Sequence, residues 1–219
     1  MTDDKLAQTR TLDAMNTRGL AAKREYVQEL EQRGDAEAIT ALAGCLQDDS
    51  WFLRELAEET FLRLGAAGAP ALLPLLKQGL WFTRGSAART LGRLGYAGAV
   101  PGLFELTEDP NFTVVAAARD AVVEIGRRRG AIRLAHALHR MPPDLRRKRM
   151  DEIVARDASL GERLERLMRS DELMAVEDVS ALTDDSAAVR ANEEGVEWEV
   201  LTSPPPPASH PGEEVGERG

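Results

Sequence analysis

An approximate repeat constrains this chain more than any other feature. The segment WFLRELAEETFLRLG (51–65) returns 30 residues later as WFTRGSAARTLGRLG (81–95). A weaker copy, FTVVAAARDAVVEIG, follows after 31 more and ends at Gly126. Aligned on Gly65, Gly95 and Gly126, the aromatics Trp51, Trp81 and Phe112 coincide. So do Ala57, Ala87 and Ala118, and so do Leu64, Leu94 and Ile125. A period of this length is the mark of a stacked supersecondary unit, because one such unit cannot bury its apolar face alone. The chain is 43% hydrophobic but only 5% aromatic, and the Ala and Leu that supply the difference favour closely packed helices over strands.

Upstream of each segment lies a second apolar run at helical spacing: Ile39, Leu42 and Leu46; then Ala69, Leu72 and Leu76; then Val100, Leu103 and Leu106. Each unit therefore reads as helix, turn, helix. The closing glycines are expected in the left-handed conformation of a helix C-cap. Pro70 and Pro101 fall near helix starts, where a missing N–H costs little. Pro74 falls further in and is expected to shorten or bend its helix. Asp48 or Asp49 is expected to cap the helix that Trp51 opens.

These features resemble the HEAT repeat, in particular the short bacterial phycobilisome-lyase HEAT-like kind. That motif has an Asp in the interhelical turn, a Val-Arg-like pair, an Ala-rich second helix and a closing Leu-Gly. The first unit matches with Asp48, Leu53-Arg54, Ala57 and Leu64-Gly65. The second matches with Thr83-Arg84, Ala87-Ala88 and Leu94-Gly95, but Gln78 stands in the Asp position. The third has Asp109, Val114, Ala117-Ala118 and Ile125-Gly126, with Val115 in place of the Arg. The resemblance covers about residues 35–126 and implies an all-α, right-handed α-solenoid of stacked helical hairpins. It implies a scaffold rather than a particular chemistry.

The flanks extend this reading. Residues 1–19 are a flexible N-terminus or the start of a cap, and 20–168 are the solenoid. Its clear repeats are 35–65, 66–95 and 96–126, and 127–168 form a degenerate cap with Ile153, Leu160, Leu164 and Leu167 as core candidates. Residues 169–219 read as an acidic, Pro-rich tail, mostly disordered. The chain carries a net charge of −9, unevenly spread: residues 127–168 hold 12 Lys+Arg against 6 Asp+Glu, and 169–219 hold 3 against 13. The four consecutive prolines 204–207 favour a polyproline II segment. Trp198, isolated among acids, is a candidate tail anchor; the alternative is a helix or strand folded back on its own domain.

Catalytic signals are sparse. Cys45, the single cysteine, reads as a small core residue in a reducing compartment. His136 and His139 lie three apart, but Arg133 and Arg140 beside them repel a cation, so a solvated helix face is expected rather than a metal site. Certain HEAT-like hydroxylases hold iron through His-Glu pairs, and no such pair occurs here. GAAGAP and GYAGAV are repeat turns, not phosphate loops. No catalytic residue, cofactor or metal is implied. The N-terminus lacks a signal-peptide core and no apolar run approaches the roughly 20 residues of a membrane span, so the expectation is a cytoplasmic protein without a membrane partner.

The remaining candidates are binding surfaces. In HEAT arrays second helices line the concave side, which here presents Glu55, Glu58, Glu59, Arg89, Arg93 and Arg119 as candidate partner-binding residues. Such mixed charge suits a protein or peptide partner better than a polyanion. Gly85, Ala88 and Gly92 leave room for close approach. A second candidate is the basic patch of Arg127, Arg128, Arg129, Arg133, Arg140, Arg146, Arg147, Lys148 and Arg149. It could take an acidic partner, the chain's own acidic tail, or nucleic-acid phosphates. The leading expectation is a non-catalytic scaffold or adaptor that its tail regulates. The alternative is nucleic-acid binding through 127–149, and a third reading is an accessory subunit of a lyase-like enzyme. Trp51 and Trp81 are expected to pack between units; wide exposure would make them interface candidates instead.

Overall fold

Leu, Ala and Val at helical spacing give the chain one apolar stripe per helix, and the helices stack to cover those stripes. A computed structural model describes residues 19–176, 187–192 and 195–200. Residues 19–176 form an all-α solenoid. Its order is α1 (Gly19–Arg33), α2 (Ala36–Cys45), α3 (Trp51–Leu64), α4 (Trp81–Leu94), α5 (Val100–Leu106), α6 (Phe112–Ile125), α7 (Ala131–His139), α8 (Pro143–Val154), α9 (Ala158–Met168) and α10 (Asp171–Met174). Two strands, β1 (Ala187–Asn192) and β2 (Gly195–Val200), follow as an antiparallel pair.

The core runs along the stack. Leu42, Leu46, Leu53, Phe61, Leu72, Leu76, Leu91, Leu103, Ile125, Leu134 and Leu138 are fully buried. The period-matched alanines Ala57, Ala87 and Ala118 are buried with them, as a close helix crossing requires. Ile153, Leu160, Leu164 and Leu167 close the C-terminal end.

Several local expectations are corrected. The first helix of the middle unit is not α-helical: residues 65–76 make three short 3₁₀ turns, Gly65–Ala67, Ala69–Leu72 and Pro74–Leu76. Pro74 lacks the N–H that an α-helix starting near Ala69 would need there, and the tighter turns still bury Ala69, Leu72 and Leu76. Gly95 ends α4 in the expected left-handed conformation (φ 66°, ψ 27°), whereas Gly65 ends α3 with positive φ (64°) but ψ −143°, outside that conformation. Gly126 does not have positive φ; at −63° it leads into a π-helical turn, Gly126–Gly130, that runs on to α7. A Cβ there would lie 2.8 Å from Leu160 Cδ2 and 3.0 Å from Leu134 Cδ2, so glycine is needed for packing rather than for a cap.

The cap of α3 is Ser50, whose hydroxyl accepts from Leu53 N–H at 3.4 Å. Asp48 acts one step back, accepting from Ser50 N–H at 2.7 Å. The third unit repeats this pair: Asn111 caps α6, and Asp109 accepts from Asn111 N–H. The middle unit has lost both, since Leu80 at the cap position of α4 makes no side-chain bond.

The solenoid passes residue 168. α10 is capped by Ser170 and buries Leu173 (1% exposed), so residues 171–174 belong to the folded end. Trp198 lies in β2 opposite Val189 of β1. Residues 201–219, including the four prolines, lie outside the described residues.

Candidate functional site

The second helices α3, α4 and α6 stand side by side and carry the candidate partner-binding charges. Much of that charge is engaged between units. Arg63 donates to both carboxylate oxygens of Glu31, at 2.6 and 2.8 Å. Arg89 donates to Glu58 at 2.9 Å and to Ser86 Oγ at 3.0 Å. Arg119 donates to Glu152 at 2.7 Å, and Arg156 to Asp120 at 2.9 Å. Each pair joins residues roughly one repeat apart in sequence. Opposite charges separated by a repeat length are therefore the sequence signal for these clamps, and it was not read from the residues. The Arg63 guanidinium also holds the Glu31 carboxyl below its ordinary range.

A further clamp sits at the turns. Arg84 grips Asp109 of the next unit in a two-pronged pair (2.7 and 3.0 Å), and the Asp109 side chain is only 6% exposed. In the preceding unit Gln78 replaces that Asp. Arg54 instead donates to the carbonyl of its own Asp48 at 2.7 Å and lies over the Phe82 ring, 4.3 Å from its centroid.

Glu55, Glu59 and Arg93 remain exposed, and Arg93 makes no ion pair among the described residues. Arg93 is one wall of a cleft of about 430 Å³ between α4 and α6. Gly92, Ala116, Ala117 and Ala121 make its floor; Arg89 and Arg93 stand on one side, and Asp120 and Glu124 on the other. The space foreseen at Gly92 is taken: a Cβ there would come within 2.6 Å of Ala121 Cα, so the glycine lets α6 close on α4. Ala88 is buried too, and only Gly85 has open room, with an added Cβ meeting nothing nearer than Arg89 Nη1 at 3.4 Å.

Part of the basic patch is paired with carboxylates. Arg127 donates to Asp157 (2.6 Å), Arg128 to Glu124 (3.5 Å) and Lys148 to Glu108 (2.8 Å). Arg149, 3% exposed, is buried between Glu108 (2.6 Å) and Glu152 (2.9 Å). Arg146 donates to the His139 carbonyl. Lys148 and Arg149 together hold the Glu108 carboxyl down to about 2, and Arg127 holds Asp157 well below the carboxylate range. Arg133 is half-buried, while Arg140 and Arg147 are exposed; the Arg129 side chain lies outside the described residues.

His136 is not on a solvated face. It is 2% exposed, and its Nε2 has no hydrogen-bond partner among the described residues. Burial, then Arg140 and His139, push its pKa down, while backbone groups of Leu173 and Val176 act the other way. Cys45 is buried in the core, where burial and then Asp48 push its thiol up to about 12, far from a nucleophile's range. Among the described residues no group of three or more His, Cys, Asp or Glu is placed to hold a metal ion. No helix among them is long and apolar enough to cross a membrane.

The indoles overturn the packing expectation: Trp51 is 67% exposed, Trp81 49% and Phe112 84%. Their neighbours Phe52 and Phe82 do the packing. Each lies edge-on to its Trp, at 5.9 and 5.8 Å between ring centroids and the same 78° interplanar angle.

Stacked helix pairs, clamped one unit to the next by ion pairs and sharing one continuous core, define a helical-repeat scaffold. Residues 69–151 match the family model of HEAT repeats. Among solved structures it is similar to the complex of CpcE and CpcF of phycocyanin lyase from Nostoc sp. PCC7120, at a TM-score of 0.41 and 20% identity, over 79% of this chain and 73% of that one. A comparison with curated proteins returns no match.

Proposed function

We infer that the protein is a non-catalytic scaffold that binds a protein or peptide partner in the cleft between α4 and α6. The observation that carries this reading is the cleft itself: a small-residue floor flanked by Arg93, a cation with no ion pair among the described residues. A shallow apolar floor admits a helix or strand at close range, and a lone guanidinium beside it selects a carboxylate on the incoming segment. The other rim charges already have partners, Arg89 in Glu58, Asp120 in Arg156 and Glu124 in Arg128, so they shape the cleft without needing the ligand. The basic segment supports nucleic-acid binding less well, because four of its cations, Arg127, Arg128, Lys148 and Arg149, are paired with carboxylates that would repel phosphate.

The test uses the full chain as an immobilised bait, with captured proteins quantified by mass spectrometry. Arg93→Glu reverses the free charge, and Ala116→Trp fills the floor from an exposed position. Proteins that bind the cleft fall by about tenfold on both variants, equivalent to about 1.4 kcal/mol. They are retained on Gln32→Ala, a surface change on α1. Equal capture by all four proteins sinks the reading.

A further inference from the structure

The aromatic edge is independent of the cleft. Trp51, Trp81 and Phe112 each occupy the first position of a second helix, one per repeat, and Leu80 (57% exposed) adds to the same line. The two Trp-Phe pairs have matching geometry, so both indoles are presented in the same way. Phe52 and Phe82 are each backed by an arginine, Arg24 at 5.9 Å and Arg54 at 4.3 Å, which fixes the rings the indoles lean on. Exposed indoles at two successive repeats, with a third aromatic following, form an apolar surface that water does not favour.

The spacing of this ladder suggests its occupant. Packed helices step by about 8–10 Å, so successive indoles recur at about that interval. A polyproline II helix turns once in three residues at 3.1 Å each, or about 9.3 Å. A proline-rich strand laid along the edge therefore offers one proline to each aromatic, and planar indoles flanking a proline ring are the standard means of recognising such segments. The chain holds a matching segment, SPPPPASHP (203–211), in which Pro204 and Pro207 are one polyproline turn apart. We propose that Pro204–Pro207 of the same chain dock on Trp51 and Trp81 as a polyproline II segment.

Reach permits this. Between Val176 and Pro204 lie ten residues before β1 and three after β2, which span up to about 43 Å when extended. The paired ends of the hairpin, Ala187 and Val200, add about 5 Å. Returning from the C-terminal units to α3 and α4 takes about three packing steps, or about 30 Å. Tethering then sets the local concentration near the millimolar range, enough to populate a contact that would be weak between separate molecules.

Intrinsic fluorescence tests the proposal in the full chain. Trp198→Phe leaves Trp51 and Trp81 as the only indoles. Replacing Pro204, Pro205, Pro206 and Pro207 by Ala in that background raises the acrylamide quenching slope about twofold if a tether keeps the edge covered. Adding the peptide SPPPPASHP at millimolar concentration lowers the slope again, and it fails to do so when Trp81→Ala is also present. Far-UV circular dichroism shows unchanged helicity, because none of these changes touches the buried core. An unchanged slope in the Pro-to-Ala protein overturns the proposal. So does protection that grows with protein concentration alongside a dimer mass in light scattering, which would place the prolines of a second copy on the edge. Neither result bears on the cleft, whose variants are read separately.

Discussion

At the scale of single residues, two glycines on α4 make opposite predictions. Gly92 faces Ala121 so closely that a methyl group would sit 2.6 Å from its Cα and 2.7 Å from its Cβ. Gly92→Ala must push α6 away, and overpacking of that kind costs about 1–3 kcal/mol. Gly85 has room, and the nearest atom is the mobile end of Arg89. Gly85→Ala removes backbone freedom from the unfolded chain and stabilises by up to about 1 kcal/mol. Urea denaturation of the two variants separates them, and a shift of both midpoints in one direction would refute the assignment. Arg84 and Arg54 form a similar contrast. Arg84→Met strands the Asp109 carboxylate, 6% exposed, and is expected to cost about 2 kcal/mol. Arg54→Met leaves no such charge behind and costs less. The Arg84 clamp lowers the Asp109 pKa, so its contribution is fully present above the ordinary carboxyl value of 3.8 and fades as pH falls through the folded value. The gap between wild type and Arg84→Met in chemical denaturation should therefore narrow in acid; a gap that persists undiminished would mean that the clamp is not the cause.

At the scale of elements, the unit whose first helix is replaced by 3₁₀ turns is also the least well capped. Leu80 already has the extended backbone of an N-cap residue (φ −76°, ψ 167°) but no side chain able to accept a bond. Leu80→Asp supplies that acceptor and a negative charge at a helix N-terminus, for about 1 kcal/mol. Thermal unfolding should shift up by about 2–4 °C; a shift downward would mean that Leu80 is held by packing despite its exposure. Element identity was legible because burial imposes periodicity: Ala57, Ala87 and Ala118, one period apart, are buried, and Leu64 and Leu94 pack half-buried against the core. Features that burial does not dictate were harder to read. Proline's effect on α-helix geometry appeared as 3₁₀ turns across 65–76, where a shortened or bent helix was expected. Gly126 shares its alignment with two capping glycines yet serves a close contact with Leu134 and Leu160, a distinction that depends on neighbours remote in sequence. Trp51 and Trp81 share the repeat frame with buried residues, but the frame records position and not exposure. It is their neighbours Phe52 and Phe82, half-buried beside them, that act as the packing pair.

At the scale of the whole molecule, a solenoid's stability is close to a sum over neighbouring units, so its ends can open without the middle. The C-terminal end depends on α10, held by Leu173 (1% exposed) and by the approach of Leu173 and Val176 to His136. His136 is 2% exposed, with Arg140 and His139 adding positive charge nearby, so the fold favours its neutral form. Its folded pKa lies below the ordinary 6.5. Between those two values the unfolded chain binds a proton that the folded chain does not, so stability falls as pH drops below 6.5 and levels off below the folded pKa. The loss should be local. Amide exchange monitored by mass spectrometry is expected to speed up first in α9 and α10, while α3, α4 and α6 keep their protection. His136→Phe keeps the ring volume and removes the titration, so its C-terminal exchange, corrected for the intrinsic pH dependence, should be flat across the same window. Equal acid sensitivity in that variant would move the cause away from His136. Uniform loss of protection along the chain would show instead that the repeats unfold as one cooperative unit, and that the end of the array is bound to the middle more firmly than nearest-neighbour packing predicts.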